Sequence, residues 1–177
     1  MSFTDGLIID FTPIPDGTER AQLRQAEREA VMQILRRHFG SETTLLHDAH
    51  GAPSIAGFSG HISISHCKGR AAVAIHPTLR IGIDIETPRA QLQRVSHKFL
   101  TPDEVASFST PDALLWAWTV KESVYKAAGI AGLPLHAIRI DSRHEAIVQI
   151  PDHKAYKFQL QSHFADGLMT TVAIPAN

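Results

Sequence analysis

The chain has 177 residues, 44% of them hydrophobic, enough for one substantial core or two small ones, and its net charge of −1 gives no support for wholesale nucleic-acid binding. A single cysteine, Cys67, excludes an internal disulfide and points to a reducing compartment. No run approaches the roughly 20 apolar residues of a membrane span, and the first residues carry no basic stretch followed by an apolar one, so the expected location is the cytoplasm.

In chain order, residues 7–11 read as a short strand stopped by Pro13 and Pro15. Residues 18–39 make an amphipathic helix with Leu23, Ala26, Ala30, Ile34 and Leu35 on its buried side and Gly40 closing it. Arg24 and Arg28, one turn apart on that helix, either hold a phosphate or form a solvated face. Residues 47–60, rich in Gly, Pro, His and Ser, read as loop and as a candidate junction. His47 and His50 suggest a metal pair, yet no cysteine or third histidine stands at ligand spacing, and they and the other scattered histidines read as surface residues.

Strands are expected at 61–65, 71–76 and 81–86, with the all-apolar 71–75 central. In the first of them Ile62 and Ile64 face inward and Ser63 and Ser65 outward, which leaves His66 at the strand end, placed to reach into a cleft or to make a local turn hydrogen bond. Thr101 and Glu104 have the spacing of a capping box, a structural reading that competes with a functional one for Glu104. Residues 112–128 form the longest helix, entered through Thr110, Pro111 and Asp112 and stopped at Gly129. Residues 136–141, 146–150, 156–161 and 169–174 read as strands of an antiparallel sheet. No internal repeat or low-complexity segment is detectable.

Two of these elements carry chemistry. In 81–86, Ile81, Ile83 and Ile85 alternate with Gly82, Asp84 and Glu86, so one face is apolar and the other acidic. The carboxylates lie roughly 7 Å apart along the strand, and Gly82, lacking a side chain, leaves space beside them for an anionic ligand next to a hard cation. A solvated strand face is the ordinary reading of such acids, but strands are poor in Asp and Glu. On the long helix Trp118, Glu122 and Lys126 share one stripe at i, i+4 and i+8, with Lys121 and Tyr125 beside it. An ordinary exposed Glu-Lys pair does not usually share its stripe with a tryptophan. Three carboxylates and two lysines thus come within reach of one place, as magnesium-assisted chemistry on a phosphate ester requires.

The pattern Gly82-Ile83-Asp84-Ile85-Glu86 followed by Trp118-x-x-Lys121-Glu122-Ser123-x-x-Lys126 resembles the 4′-phosphopantetheinyl transferases. Less specific likenesses are Ile62–His66, Phe99–Glu104 and Leu133–Leu135, and the resemblance runs from about residue 20 to the C-terminus. Glu86, two residues after the strand aspartate, resembles the longer, surfactin-synthetase-type branch rather than the short, trimeric holo-acyl-carrier-protein-synthase branch. That likeness implies an α+β (α/β) fold of two similar halves, residues 1–77 and 78–177, each an antiparallel sheet with a packed long helix, the first half trimmed. It also implies a monomer with its active site between the halves.

The resemblance further implies Mg²⁺, with Mn²⁺ possible, held by Asp84, Glu86 and Glu122, and coenzyme A as co-substrate. Glu122 would be the base, Asp84 a catalytic metal ligand, and Lys126 a cation for the phosphates or leaving group. His66, Ser65, Lys126, Ala52, Pro53 and Arg28 would contact coenzyme A. The acceptor would be the serine of an apo acyl or peptidyl carrier protein, met by exposed positive charge around residues 89–98 and Lys121. The family usually has Lys or Arg where Ala52 stands, near the adenine end of coenzyme A, and serine where Cys67 stands. Two other readings remain: a magnesium-dependent phosphoesterase, against which stands the lack of a second acidic cluster, and a non-catalytic carrier-protein or nucleotide-binding module.

Overall fold

A computed structural model describes residues 5–15, 19–150 and 155–176, the side chain of Arg20 excepted. The first part of the chain contributes β1 (Ile8–Pro13), α1 (Arg20–Phe39), a small hairpin of β2 (Leu45–His47) and β3 (Pro53–Ile55), then β4 (His61–Cys67) and β5 (Arg70–His76). β1, β5 and β4 form an antiparallel sheet in that order, so the all-apolar strand is central, as its lack of a polar face requires. Helix α1 lays Ala30, Val31, Ile34 and Leu35 against Ile62, Val73 and Ile75.

The expected burial of Leu23 is corrected: it is 37% exposed. Residues 21–25 are all exposed, and burial on α1 begins at Ala26, because a sheet of only three strands offers the helix a short footprint. The loop reading of 47–60 holds for most of its length and is corrected at His47 and Pro53–Ile55, which belong to the β2–β3 hairpin. The hairpin's two strands of three residues are too short to show alternation, and one Asp48 carboxylate oxygen accepts the backbone N–H of His50 (2.8 Å) and Ala52 (2.9 Å), fixing the turn between them. The passage to the second part falls instead after β5, where buried His76 accepts the N–H groups of Thr78 (3.1 Å) and Leu79 (2.8 Å) on its Nδ1. His76 is therefore not a surface histidine.

The second part runs β6 (Gly82–Glu86), α2 (Gln91–Val95), α3 (Pro102–Ser107), α4 (Pro111–Ala128), β7 (Ile138–Ile140), β8 (Glu145–Val148), β9 (Tyr156–Ala165) and β10 (Leu168–Pro175). Its five strands form an antiparallel sheet in the order β6-β10-β9-β8-β7. The Thr110 hydroxyl caps α4 by accepting the N–H of Ala113, and Gly129, at φ 60°, ends it. Val120, Val124 and Ala127 of α4 pack on Ile138, Val148, Phe158 and Leu160. The fold is thus mixed α/β, with antiparallel sheets of three and five strands, each backed by a long helix.

The sheets meet along β4 and β6. Backbone N–H groups of Ile83 and Ile85 on the free edge of β6 donate to the hydroxyls of Ser63 (3.0 Å) and Ser65 (3.2 Å). Those serines, expected to face outward, are 3% and 6% exposed. Their hydroxyls replace the carbonyls of a neighbouring strand, so the outward face of β4 is the seam. Beside it Ala72 and Ala74 pack on Ile81, Ile83, Ile85 and Val172.

Candidate active site

Strand β6 and helix α4 cross at Gly82. A methyl group there would lie 2.7 Å from Ala127 N and 2.9 Å from Ser123 C, and nearer still to the Ser123 oxygen. The space expected beside the acids at Gly82 is therefore filled by the α4 backbone, and the glycine sets how closely the two elements approach. This contact brings the acidic face of β6 under the Trp118, Glu122 and Lys126 stripe.

Asp84 is 5% exposed. Its Oδ1 accepts from Lys126 Nζ (2.8 Å) and from the Ser65 hydroxyl (2.9 Å), and Lys126 also donates to the carbonyl of Ile83 (2.9 Å). Its Oδ2 is buried without a hydrogen-bond partner. An unpaired carboxylate oxygen away from water is costly unless something else fills its lone pairs. Glu86 accepts on Oε1 from Trp118 Nε1 (3.0 Å) and Arg89 (2.6 Å), while the Arg89 guanidinium also lies 5.4 Å from the Trp118 ring centre. Phe99 also packs on that tryptophan, edge to face, with ring centres 5.1 Å apart.

Burial pushes the Glu86 carboxyl up, with Asp84 adding to the shift and Arg89, Trp118 and Lys126 opposing it. Burial also pushes Glu122 up, helped by Asp84 and Glu86 and opposed by Lys126 and Arg89. Glu122 makes no hydrogen bond or ion pair among the described residues. The three acids therefore feel one another's charge in a half-buried cleft.

The donor set suits a hard divalent cation: carboxylate oxygens, one of them orphaned, with mutual repulsion that a cation relieves. As the side chains stand, among the described residues no three His, Cys, Asp or Glu groups are gathered tightly enough to hold an ion. The hydrogen bonds fall on Asp84 Oδ1 and Glu86 Oε1, which leaves Asp84 Oδ2, Glu86 Oε2 and the Glu122 carboxylate for a ligand.

Lys121, expected beside the acids or on a docking surface, is corrected. It is fully buried on the other side of α4, donating to Glu104 (2.7 Å), to the carbonyl of Ile138 (2.6 Å) and to that of Leu135 (3.3 Å). Burial pushes its ammonium down and Glu104 opposes that. Glu104 completes the capping box with Thr101 and accepts the N–H of Ile140 (3.1 Å), so both its oxygens brace α3, α4 and β7 together.

Ser65 is committed to Asp84 and Ile85. His66 points to the opposite face of β4, half exposed, with Nδ1 3.3 Å from a Glu27 oxygen of α1, on the same helix as exposed Arg28. The structure does not bring His66 and Arg28 to the acid cluster. Ala52 and Pro53 line a cavity of about 430 Å³ that opens beside Lys126 and lies between the β2–β3 hairpin, β4 and the end of α4. Sequence reasoning missed Arg80, Tyr125, His61, His47 and His50 as lining of that cavity. Arg80 and the three histidines come from loops and strand ends, where no periodicity marks a facing direction, and Tyr125, read beside the α4 stripe, turns to this cavity. A larger cavity of about 750 Å³, around Trp116, Arg143, His144 and Phe164, contains no member of the acid cluster.

A family model described as the 4′-phosphopantetheinyl transferase superfamily matches residues 80–173, more than half of the chain and a span that includes β6 and α4. No curated protein matches the chain.

Proposed function

From the premise that the chain belongs to the 4′-phosphopantetheinyl transferase superfamily, we propose that it transfers the 4′-phosphopantetheine group of coenzyme A to a serine hydroxyl of an apo acyl or peptidyl carrier protein, releasing 3′,5′-ADP. The observation that carries this reading is the buried, unpartnered Oδ2 of Asp84 beside Lys126 and two more acids whose carboxyls are pushed upward. Asp84, Glu86 and Glu122 would hold Mg²⁺ or Mn²⁺, which supplies Lewis-acid stabilisation of charge on the pyrophosphate.

The chain's own groups have distinct duties in this reaction. Lys126 holds Asp84 in place through its 2.8 Å ion pair, and its ammonium is near enough to neutralise charge on the departing phosphate. Ser65 holds Asp84 from the other sheet. Glu122, half-buried and without a hydrogen-bonding partner, has a carboxyl raised toward the range in which it can accept the proton of the serine hydroxyl. Trp118 and Arg89 orient Glu86. The Asp84-x-Glu86 pair favours the longer, two-halved branch of the family, working as a monomer, with the cleft along the β4–β6 seam.

The test is to incubate the protein with coenzyme A, Mg²⁺ and an apo carrier protein and to weigh the carrier. A gain of one phosphopantetheine unit is expected, and Asp84→Ala, folded by circular dichroism, should abolish it. Breakdown of coenzyme A without gain would mean hydrolysis, and no change to either would mean a binding module. Normal transfer by the variant would refute the metal assignment.

A further inference from the structure

Arg80 stands between β5 and β6, on the wall of the 430 Å³ cavity that also holds Gly51, Ala52 and Pro53. Its guanidinium lies flat on the α-carbon of Gly129, so close that a methyl group at 129 would overlap Cζ, Nε and one terminal nitrogen. Gly129 thus serves two ends at once: its φ of 60° closes α4, and its missing side chain seats Arg80. A cation at the C-terminal end of a helix also offsets the helix dipole, which holds the side chain there without using its donors.

Those donors are free. Arg80 is exposed and makes neither a hydrogen bond nor an ion pair among the described residues. The acid of the cavity wall, Asp48, accepts the backbone N–H groups of His50 and Ala52 on Oδ1, and its charge attracts Arg80 without a hydrogen bond or ion pair between them. The other nitrogen-bearing side chains of the lining are His47, His50, His61 and Lys126, and hydroxyls come from Ser54, Ser63 and Tyr125. An arginine fork with five N–H donors and no acceptor, on the wall of a cleft whose other charged side chains, Asp48 and Lys126, already hold hydrogen bonds, matches a phosphate.

Position selects which phosphate. Along α4, Glu122 and Lys126 mark the acid cluster, and Gly129 lies seven residues beyond Glu122, about 10 Å at the helical rise. A coenzyme A pyrophosphate at the acids leaves its nucleotide to run toward Arg80, and the charged group on that part of the molecule is the 3′-phosphate. We propose that Arg80 binds the 3′-phosphate of the nucleotide and so supplies the cation that Ala52 does not. This rests on the transferase reading above.

The experiment measures binding of 3′,5′-ADP and of 5′-AMP, which differ only in the 3′-phosphate, by calorimetry without metal or carrier. The wild-type protein should prefer 3′,5′-ADP by about 10- to 100-fold, the usual range for a charge-assisted phosphate contact. Arg80→Ala should lose that preference while its 5′-AMP affinity stays unchanged and its melting temperature falls by no more than about 4 °C, and Ala52→Lys in the same chain should restore part of it. A wild-type preference that survives intact in a folded Arg80→Ala protein overturns the assignment and leaves the transferase reading standing. Failure of the wild-type protein to bind either nucleotide, in a repeat with Mg²⁺ as well as without it, sinks the transferase reading itself.

Discussion

Gly82→Ala tests how the site is assembled, because it adds a single methyl group where strand and helix cross. That carbon would lie 2.7 Å from Ala127 N and 2.9 Å from Ser123 C, whereas ordinary contact is 3.4–4 Å. The obstructing atoms are α4 backbone, which cannot rotate away, so α4 and β6 must separate by about 1 Å. Overpacking of this kind costs about 1–3 kcal/mol, or about 2–12 °C in melting temperature for a chain of this size. The same displacement moves Glu122 and Lys126 away from Asp84, and a misplacement of about 1 Å can cost on the order of 100-fold in rate. Thermal unfolding and the mass-resolved carrier assay read the two effects separately. If Gly82→Ala melts with the wild-type protein and transfers at its rate, the close approach of β6 and α4 does not position the site.

Lys121→Met strands Glu104 as a buried, unpaired charge, and breaking such a pair costs about 3–5 kcal/mol; Glu104→Gln in the same chain should recover part of the lost melting temperature, and a single variant as stable as the parent would refute the bracing role. The Glu122 carboxyl is raised above its ordinary 4.5, so its folded-state advantage is present in the protonated form below that pH and lost as pH rises through the raised value. Metal-free Glu122→Gln should therefore melt above the wild-type protein at pH 7, with the gap closing near pH 4, and Mg²⁺ should raise only the wild-type melting temperature. Burial, with Glu86 and Asp84, pushes the Cys67 thiol up to about 11 from 9.0. At pH 8 its thiolate is scarcer by on the order of 100-fold, so alkylation by iodoacetamide should be slowed to match relative to a free cysteine.

Much of the site was legible because its residues lie in long elements with clear periods. The i, i+2 spacing of Asp84 and Glu86 and the i, i+4, i+8 stripe of Trp118, Glu122 and Lys126 state which side chains share a face whatever packs on them. Lys121 was misplaced by that reasoning, since adjacency on a helical wheel does not say that the neighbouring face is covered by β7 and the Glu104 turn. The serines of β4 went wrong for a related reason: a polar residue in alternation is taken as facing water, and here the outward face met a second strand edge with N–H groups to satisfy. Arg80 and the histidines of the cavity gave no signal, being in loops and strand ends.

By itself the sequence determined the central apolar strand, the long capped helix, the acidic strand and the family motif, because each depends on residues close together along the chain. Tertiary structure alone decided that Gly82 is a contact point, that Lys121 is an internal brace, that Ser65 reaches across to Asp84, and that Arg80 faces the loop bearing Ala52. Those facts depend on which surface covers which, and backbone periodicity specifies a direction for each side chain without specifying what stands in that direction.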